Sequence, residues 1–467
     1  MRKDNKLEKK SKGGRQVDLL HGPILKTLAK LSLPIMATSF LQVAYNLIDT
    51  YWIARMGPAR VAGVGTAGMF LWLSEGILLL SRMGGQVYTA RELGAGNREE
   101  ARKQAASSLS LSLLLGLIMA NLLFFFRGNL IAFFHLPNAE TIRAAEVYLA
   151  ITGFGIIFAY IGRHLTALAI SSGDSKTPFK INTVGLVTNM ILDPILIFAL
   201  GWGVAGAAWA TLISQLLVAV LLTYFVLGRE PFINLPVKQV RENLKLWPSF
   251  IRIGIPAAMQ SIGFASISMY VARMIAGFGE AAIAAQKVGS QIESISWLTA
   301  EGFASALTAF ISQNYGNKQL DRAKGGYRRA IFLISGIGLA NSLLLYFGNE
   351  YIFSIFLTET AALAEGARYL RILAFSQLFM CLEMVASGAF NGFGKTLLPS
   401  LVVLAGVISR IPLGRVLSAS SLGVSGIWWA ISLSSIGMGI VLSIAMFIFL
   451  RRVQAYSDLP KRWRRQA

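Results

Sequence analysis

The chain has 467 residues, of which 54% are hydrophobic and 14% charged, with a formal net charge of +21 and a mean hydropathy of +0.57. A soluble domain carries roughly 25% charged residues. Here apolar runs of about 20 residues, the length that crosses a bilayer core as a helix, recur from end to end. A soluble multi-domain enzyme is therefore excluded, and the sequence reads as an all-α polytopic membrane protein.

Twelve transmembrane helices are predicted on that criterion, at 28–54, 61–89, 106–126, 146–171, 179–200, 204–227, 250–275, 281–311, 328–347, 368–391, 397–418 and 423–450. Before the first lies a basic polar tail with Lys6, Lys9, Lys10, Lys12 and Arg15, in which no cleavable signal peptide is visible. Alternate connections are basic as well: Arg91 to Lys103, Lys176 with Lys180, Arg229 to Arg252, Lys318 to Arg329, and Lys395. The C-terminal tail adds Arg451, Arg452, Lys461, Arg462, Arg464 and Arg465, while the intervening connections are poor in Lys and Arg. This asymmetry predicts a multi-pass protein with both termini cytoplasmic; the cell inner (plasma) membrane is the expected location. Basic charge confined to short loops is not a nucleic-acid footprint, so the lipid bilayer is the expected partner and nucleic acid is not. The one cysteine, Cys381, leaves no internal disulfide to form.

The chain also repeats itself. Gly203-Val-Ala-Gly-Ala-Ala-Trp-Ala210 returns as Gly423-Val-Ser-Gly-Ile-Trp-Trp-Ala430, an offset of 220. Gly173-Asp-Ser-Lys-Thr177 returns as Gly392-Phe-Gly-Lys-Thr396, Leu33-Pro34 as Ile255-Pro256, and Gly96-Asn97 as Gly316-Asn317. The expected organisation is a basic tail (1–23), an N-terminal six-helix lobe (24–228), a cytoplasmic linker (229–247), a C-terminal six-helix lobe (248–452) and a second basic tail (453–467). An even number of spans per half makes the lobes parallel repeats about a pseudo-twofold axis along the membrane normal, with a central cleft near the midplane.

Acidic residues within spans are the sharpest chemical signal, because a charge in hydrocarbon is costly and usually functional. In span one, Thr38, Gln42, Tyr45 and Asp49 fall at spacings of four, three and four, on one helical face. In span five, Asn182, Asn189 and Asp193 fall at seven and four. At the repeat offset Asp49 corresponds to Val271, and Asp193 to Ile411 or Pro412, so the acidic pair belongs to the first half alone. Low dielectric disfavours a charged carboxylate and a second carboxylate nearby disfavours it further, so such a pair can take up and release a proton. Asn189, Tyr45 and Thr211 offer hydrogen bonds to one protonation state, or oxygen ligands to Na⁺; Asp49, Asp193 and Asn189 together suit that hard cation.

Other residues carry weaker signals. His164 beside Arg163 is a candidate relay, although a lone His on an apolar helix is more often a hydrogen-bonded packing residue. Glu75, Glu293, Glu301, Glu383, Arg82, Arg273, Lys287 and Arg410 also lie in spans, and some are expected to pair or to snorkel. Met36, Met69 and Met259 offer an adaptable apolar pocket. Phosphate-binding, metalloprotease, CxxC and serine-nucleophile motifs are all missing, so neither an ATP-driven pump nor a membrane hydrolase finds support. No enzymatic activity and no cofactor beyond coupling H⁺ or Na⁺ are expected.

Taken together, Pro34…Tyr45…Asp49, Asn189-x-x-x-Asp193-Pro194, Gly203-x-x-Gly206-Ala-Ala-x-Ala-Thr211 and the duplicated Gly-Asn loops resemble the multidrug and toxic compound extrusion (MATE) transporter family. The resemblance runs from about Ile24 to Arg452 and points to the prokaryotic DinF branch. It implies an antiporter that exports amphipathic, often cationic, organic compounds against a cation; a monomer is expected. It also implies a first-lobe site holding Asp49 and Asp193, with Tyr45, Asn189, Tyr148 and Thr211 around them, and Pro34 as the hinge of span one. The expected substrate cavity draws on Met36, Gln42, Tyr148, Thr166 and Met69. One departure is Thr166, where a close archaeal relative has Asn; another is Phe264, where the NorM branch has a glutamate. The competing expectation is a flippase for lipid-linked precursors, kept in view by Arg82, Arg163, Arg273 and Arg410.

Overall fold

In the computed structural model, which describes residues 16–136, 138–228, 231–232, 240–355 and 360–458, the chain is helical almost throughout and no strand occurs among the described residues. The first half contains α1 (Ile24–Ala54), α2 (Pro58–Gly94), α3 (Arg98–Phe125), the short α4 (Arg127–Ala132), α5 (Ala139–Ser171), α6 (Lys176–Pro194) and α7 (Val204–Leu222). Then come α8 (Val240–Ala276), α9 (Glu280–Gly316), α10 (Leu320–Ser354), α11 (Thr360–Gly392), α12 (Leu397–Ser418) and α13 (Val424–Asp458). Each predicted span falls on one of these helices, and most helices overrun it, because they continue past the hydrocarbon length into polar turns such as the one carrying Arg91. Among the described residues, eleven helices are long and apolar enough to cross a membrane. The remaining long helix is α9, whose apolar run is interrupted by Lys287, Glu293 and Glu301. The α4 turn was not expected, and the connection expected at 229–247 is already helical from Val240. The expected tail residues 1–15 and 459–467, and linker residues 229–230 and 233–239, lie outside the described residues.

The chain forms two compact units, one containing Ala29–Ser261 and the other containing Leu20–Leu28 and the chain from Ile262 onward. Side-chain contacts explain both boundaries. The N-terminal half of α8 packs within the first unit: Gly254 lies against the backbone of Leu80, Gly84 against Phe250, and Trp247 Nε1–H donates to the Ser107 carbonyl at 3.2 Å. Leu20–Leu28 joins the second unit because Arg322 donates to the carbonyls of Gly22 and His21, at 2.7 and 2.9 Å.

Both units use one packing scheme. In the first, α5 packs on α2, α3 and α7, and α6 packs on α7; in the second, α11 packs on α9, α10 and α13, and α12 packs on α13. The first core includes Leu78, Ala145, Leu149 and Tyr160, and the Tyr160 hydroxyl donates to the Ser74 carbonyl. The second is built around Phe353, Tyr369 and Trp428, with Tyr369 and Trp428 edge to face at 5.4 Å.

The repeated Gly-x-x-Gly motif has a steric reason. Gly203 and Gly423 open α7 and α13 with φ of 54° each, in the left-handed region that side chains disfavour. Three residues on, a Cβ at Gly206 would stand 2.5 Å from the Leu196 carbonyl oxygen, and one at Gly426 would strike the Leu417 backbone. Both close approaches tolerate only hydrogen. Gly206→Ala and Gly426→Ala are each expected to cost about 1–3 kcal/mol through overpacking and to lower the melting temperature of the detergent-solubilised protein. Gly65→Ala and Gly437→Ala, which meet open space, should leave it unchanged or raise it. A Gly206→Ala protein melting with wild type would show that this approach is not constraining.

Candidate functional site

Four helices of the first unit bring polar side chains to one place. Asp193 is wholly buried at the end of α6, immediately before Pro194, where the helix widens into a single π turn, Ile195–Ala199. Such single turns are frequent at functional sites. One turn earlier Asn189, also buried, donates through Nδ2 to Asp193 Oδ1 at 3.5 Å. Asp49 comes from α1, and its carboxyl faces that of Asp193 within hydrogen-bonding reach. Tyr45, one turn before Asp49, and Tyr148, from the buried face of α5, lie near Thr211 on α7 and near both carboxyls. Thr211 spends its own hydrogen on the Ala207 carbonyl at 3.0 Å, so its oxygen is free to accept from the tyrosines.

The electrostatics of this cluster are unusual. Asp49 Oδ1, Asp193 Oδ2 and Asn189 Oδ1 are buried and receive no hydrogen bond from the protein. The charged group acting on each carboxyl is the other carboxyl, not a cation. Two like charges side by side away from water cannot both persist without compensation. The pair therefore has the chemistry to hold one shared proton. Its oxygens, with that of Asn189, also form an all-oxygen set suited to a small hard cation.

The other residues singled out from the sequence lie elsewhere. Pro34, Met36 and Gln42 are half-buried along α1; Pro34 precedes Asp49 by fifteen residues, roughly 22 Å of helical rise. Thr166 sits on α5 and accepts from Asn182 Nδ2 at 3.5 Å, linking α5 to α6 rather than joining the carboxyl cluster. Met69 on α2 and Met259 on α8 are exposed. Glu75 and Arg163 form an ion pair, and His164 is buried with Nε2 3.0 Å from the Ser108 hydroxyl. Pairing among the charged span residues was expected, but not that Glu293, Glu383 and Tyr369 would gather around Arg410 in the second unit. The signal was available, since Tyr148 and Tyr369 fall at matching places in the repeat.

Comparison with known proteins agrees with this architecture. The family profile described as MatE matches residues 34–195 and again residues 256–416, so its two blocks open on Pro34 and on Pro256, the prolines paired by the internal repeat. A probable multidrug resistance protein NorM of Thermotoga maritima is 27% identical over 455 residues, covering 95% of this chain and 94% of the relative. An FAD transporter of Shewanella oneidensis is 26% identical, covering 90% of this chain and 94% of the relative. A crystal structure of MATE in complex with MaD3S matches with a TM-score of 0.88 at 23% identity, over 95% of this chain and 100% of the other. A multidrug resistance MATE family transporter in an outward-facing conformation gives the same values. At that identity the solved structures establish the fold, while the profile, which accounts for most of each half, establishes the family. This chain belongs to the MatE family, the MATE membrane transporters that its sequence resembles.

Proposed function

We propose that this protein is a secondary multidrug antiporter of the cell inner membrane that exports amphipathic organic cations in exchange for H⁺ or Na⁺, with the coupling ion held at Asp49 and Asp193. The observation that carries this reading is the buried carboxyl pair that lacks a protein counter-charge. The multidrug resistance names of its relatives support the export role. The position of the pair in the first unit agrees with what a DinF-like pattern implies. An ion and a cationic cargo compete for one negative site, so loading one favours release of the other; a coupling of ~1–3 kcal/mol is typical. Both termini are proposed to be cytoplasmic and the working unit a monomer.

An anionic, lipid-linked cargo is less well supported. Of the four arginines that kept it in view, Arg163 is taken by Glu75 and Arg410 donates to Ser434 and Ser435, which leaves Arg82 and Arg273.

Export of a fluorescent cationic dye from proteoliposomes, driven in turn by a proton and a sodium gradient, tests the proposal, with FAD as a second cargo arm. Asp49→Asn and Asp193→Asn should each reduce driven dye export to the leak of protein-free vesicles while eluting as monodisperse protein, because the amide keeps the shape but cannot ionise. Undiminished export by the Asn variants would refute the coupling role.

A second expectation concerns motion. Pro34 lacks the N–H that would satisfy the carbonyl four residues earlier, which weakens α1. Thr38 Oγ1 donates to the Pro34 carbonyl at 3.0 Å, a bond that itself favours bending. Spin-label distances between α1 and α6 should change between acidic and mildly alkaline pH, while those between α9 and α11 stay constant. A change confined to the second unit would place the coupling site wrongly.

A further inference from the structure

The second unit contains buried charges of its own, with a different balance. Arg410, on α12, is 8% exposed. Its Nε donates to Ser434 Oγ at 2.9 Å and its Nη2 to Ser435 Oγ at 3.2 Å, both on α13, and its guanidinium carbon lies 5.6 Å from the centre of the Phe264 ring. Glu293 of α9 and Glu383 of α11 both act electrostatically on this guanidinium. Glu293 accepts from the Tyr369 hydroxyl at 3.1 Å and from Gln377 Nε2 at 3.4 Å, and Glu383 accepts from Ser387 Oγ at 3.0 Å. Gln377 is wholly buried, and its Oε1 has no donor.

The repeat gives this arrangement its meaning. Helices α5 and α11 begin at corresponding places, Ala139 and Thr360, and Tyr369 is the counterpart of Tyr148. Pro412 is the counterpart of Pro194, so Arg410 stands next to Ile411, the counterpart of Asp193. Where the first unit presents two carboxyls and no cation, the second presents two carboxyls and a guanidinium attached to its own backbone. In low dielectric that cation acts on both acids across the space between them without direct contact.

We propose that Arg410 is the resident cation of the second unit: its guanidinium occupies the place beside Glu293 and Glu383 that a cation from solution would otherwise take, so this cluster binds no metal cation and leaves ion exchange to the first unit. Removing the side chain should turn the cluster into a site for a small planar organic cation, because the carboxylates, Ser434, Ser435 and the donor-free Gln377 oxygen remain in place. That ion exchange is left to the first unit rests on the function proposed above; the role of Arg410 itself does not, and its test uses binding and stability rather than transport.

The test is chemical rescue with guanidinium chloride on purified full-length protein, read as melting temperature. Arg410→Ala should melt several degrees below wild type, since removing one member of a buried charge cluster leaves the others uncompensated. Millimolar guanidinium should restore most of that loss while leaving wild type unmoved. Arg410→Ala/Glu293→Gln, which removes a carboxylate together with the cation, should melt above Arg410→Ala and lose the guanidinium response. The proposal is overturned if guanidinium shifts none of the proteins or shifts wild type and Arg410→Ala alike, or if Arg410→Ala melts with wild type. Should Arg410→Ala fail to fold, recovery of a folded, monodisperse protein by the double variant supports the proposal, and failure of both overturns it.

Discussion

Hydrocarbon neither solvates a charge nor donates a hydrogen bond, so every buried polar group in this chain must be answered by another protein group or by something the protein binds. Most are answered locally. Thr38, Thr152 and Thr211 return their hydroxyl hydrogens to the carbonyls four residues earlier, which lets polar side chains sit on apolar helices without partners from elsewhere. Others are answered across helices, as Glu75 is by Arg163, Ser312 by the Gly392 carbonyl and Trp428 by Gln286. A few buried polar atoms, such as Lys324 Nζ and the Tyr327 hydroxyl, lack a protein partner too. The Asp49–Asp193 pair differs from them in setting two carboxyls against each other, with Asn189 donating to one oxygen of Asp193 and no cation acting on either.

The internal repeat separates what the scaffold requires from what the chemistry requires. Features shared by the halves are steric: the left-handed glycines at Gly203 and Gly423, the close approaches at Gly206 and Gly426, and a packing scheme centred on α5 and on α11. A backbone that passes within contact distance of another leaves no freedom of residue choice, so these positions coincide in both halves. The charged residues do not coincide. Asp49 and Asp193 correspond to Val271 and Ile411 in the repeat, while Glu293, Glu383 and Arg410 occur in the second half alone. One scaffold therefore carries two different charge balances, and these, rather than the fold, distinguish the chemistry of the two units.

Much of this was legible in the sequence. Span number and order followed from apolar length, because crossing hydrocarbon requires about 20 residues of helix whatever they pack against. The recurring Gly-x-x-Gly and Gly-Asn motifs exposed the duplication, and the 3.6-residue period put Tyr45 with Asp49 and Asn189 with Asp193, since residues three or four apart share a helical face. Periodicity says nothing about which faces meet. The family resemblance, not periodicity, suggested that Asp49, Asp193, Tyr148 and Thr211 meet; tertiary packing is what brings α1, α5, α6 and α7 together there, and it turned Thr166 toward Asn182 instead. It also decided that Arg410, one of four arginines that looked alike along the chain, is buried near two half-buried glutamates while Arg273 is exposed. The physical reason is common to all these cases: along one helix geometry is dictated by local hydrogen bonding, but the distance between charges on different helices depends on side-chain packing, and that distance governs the electrostatic energy.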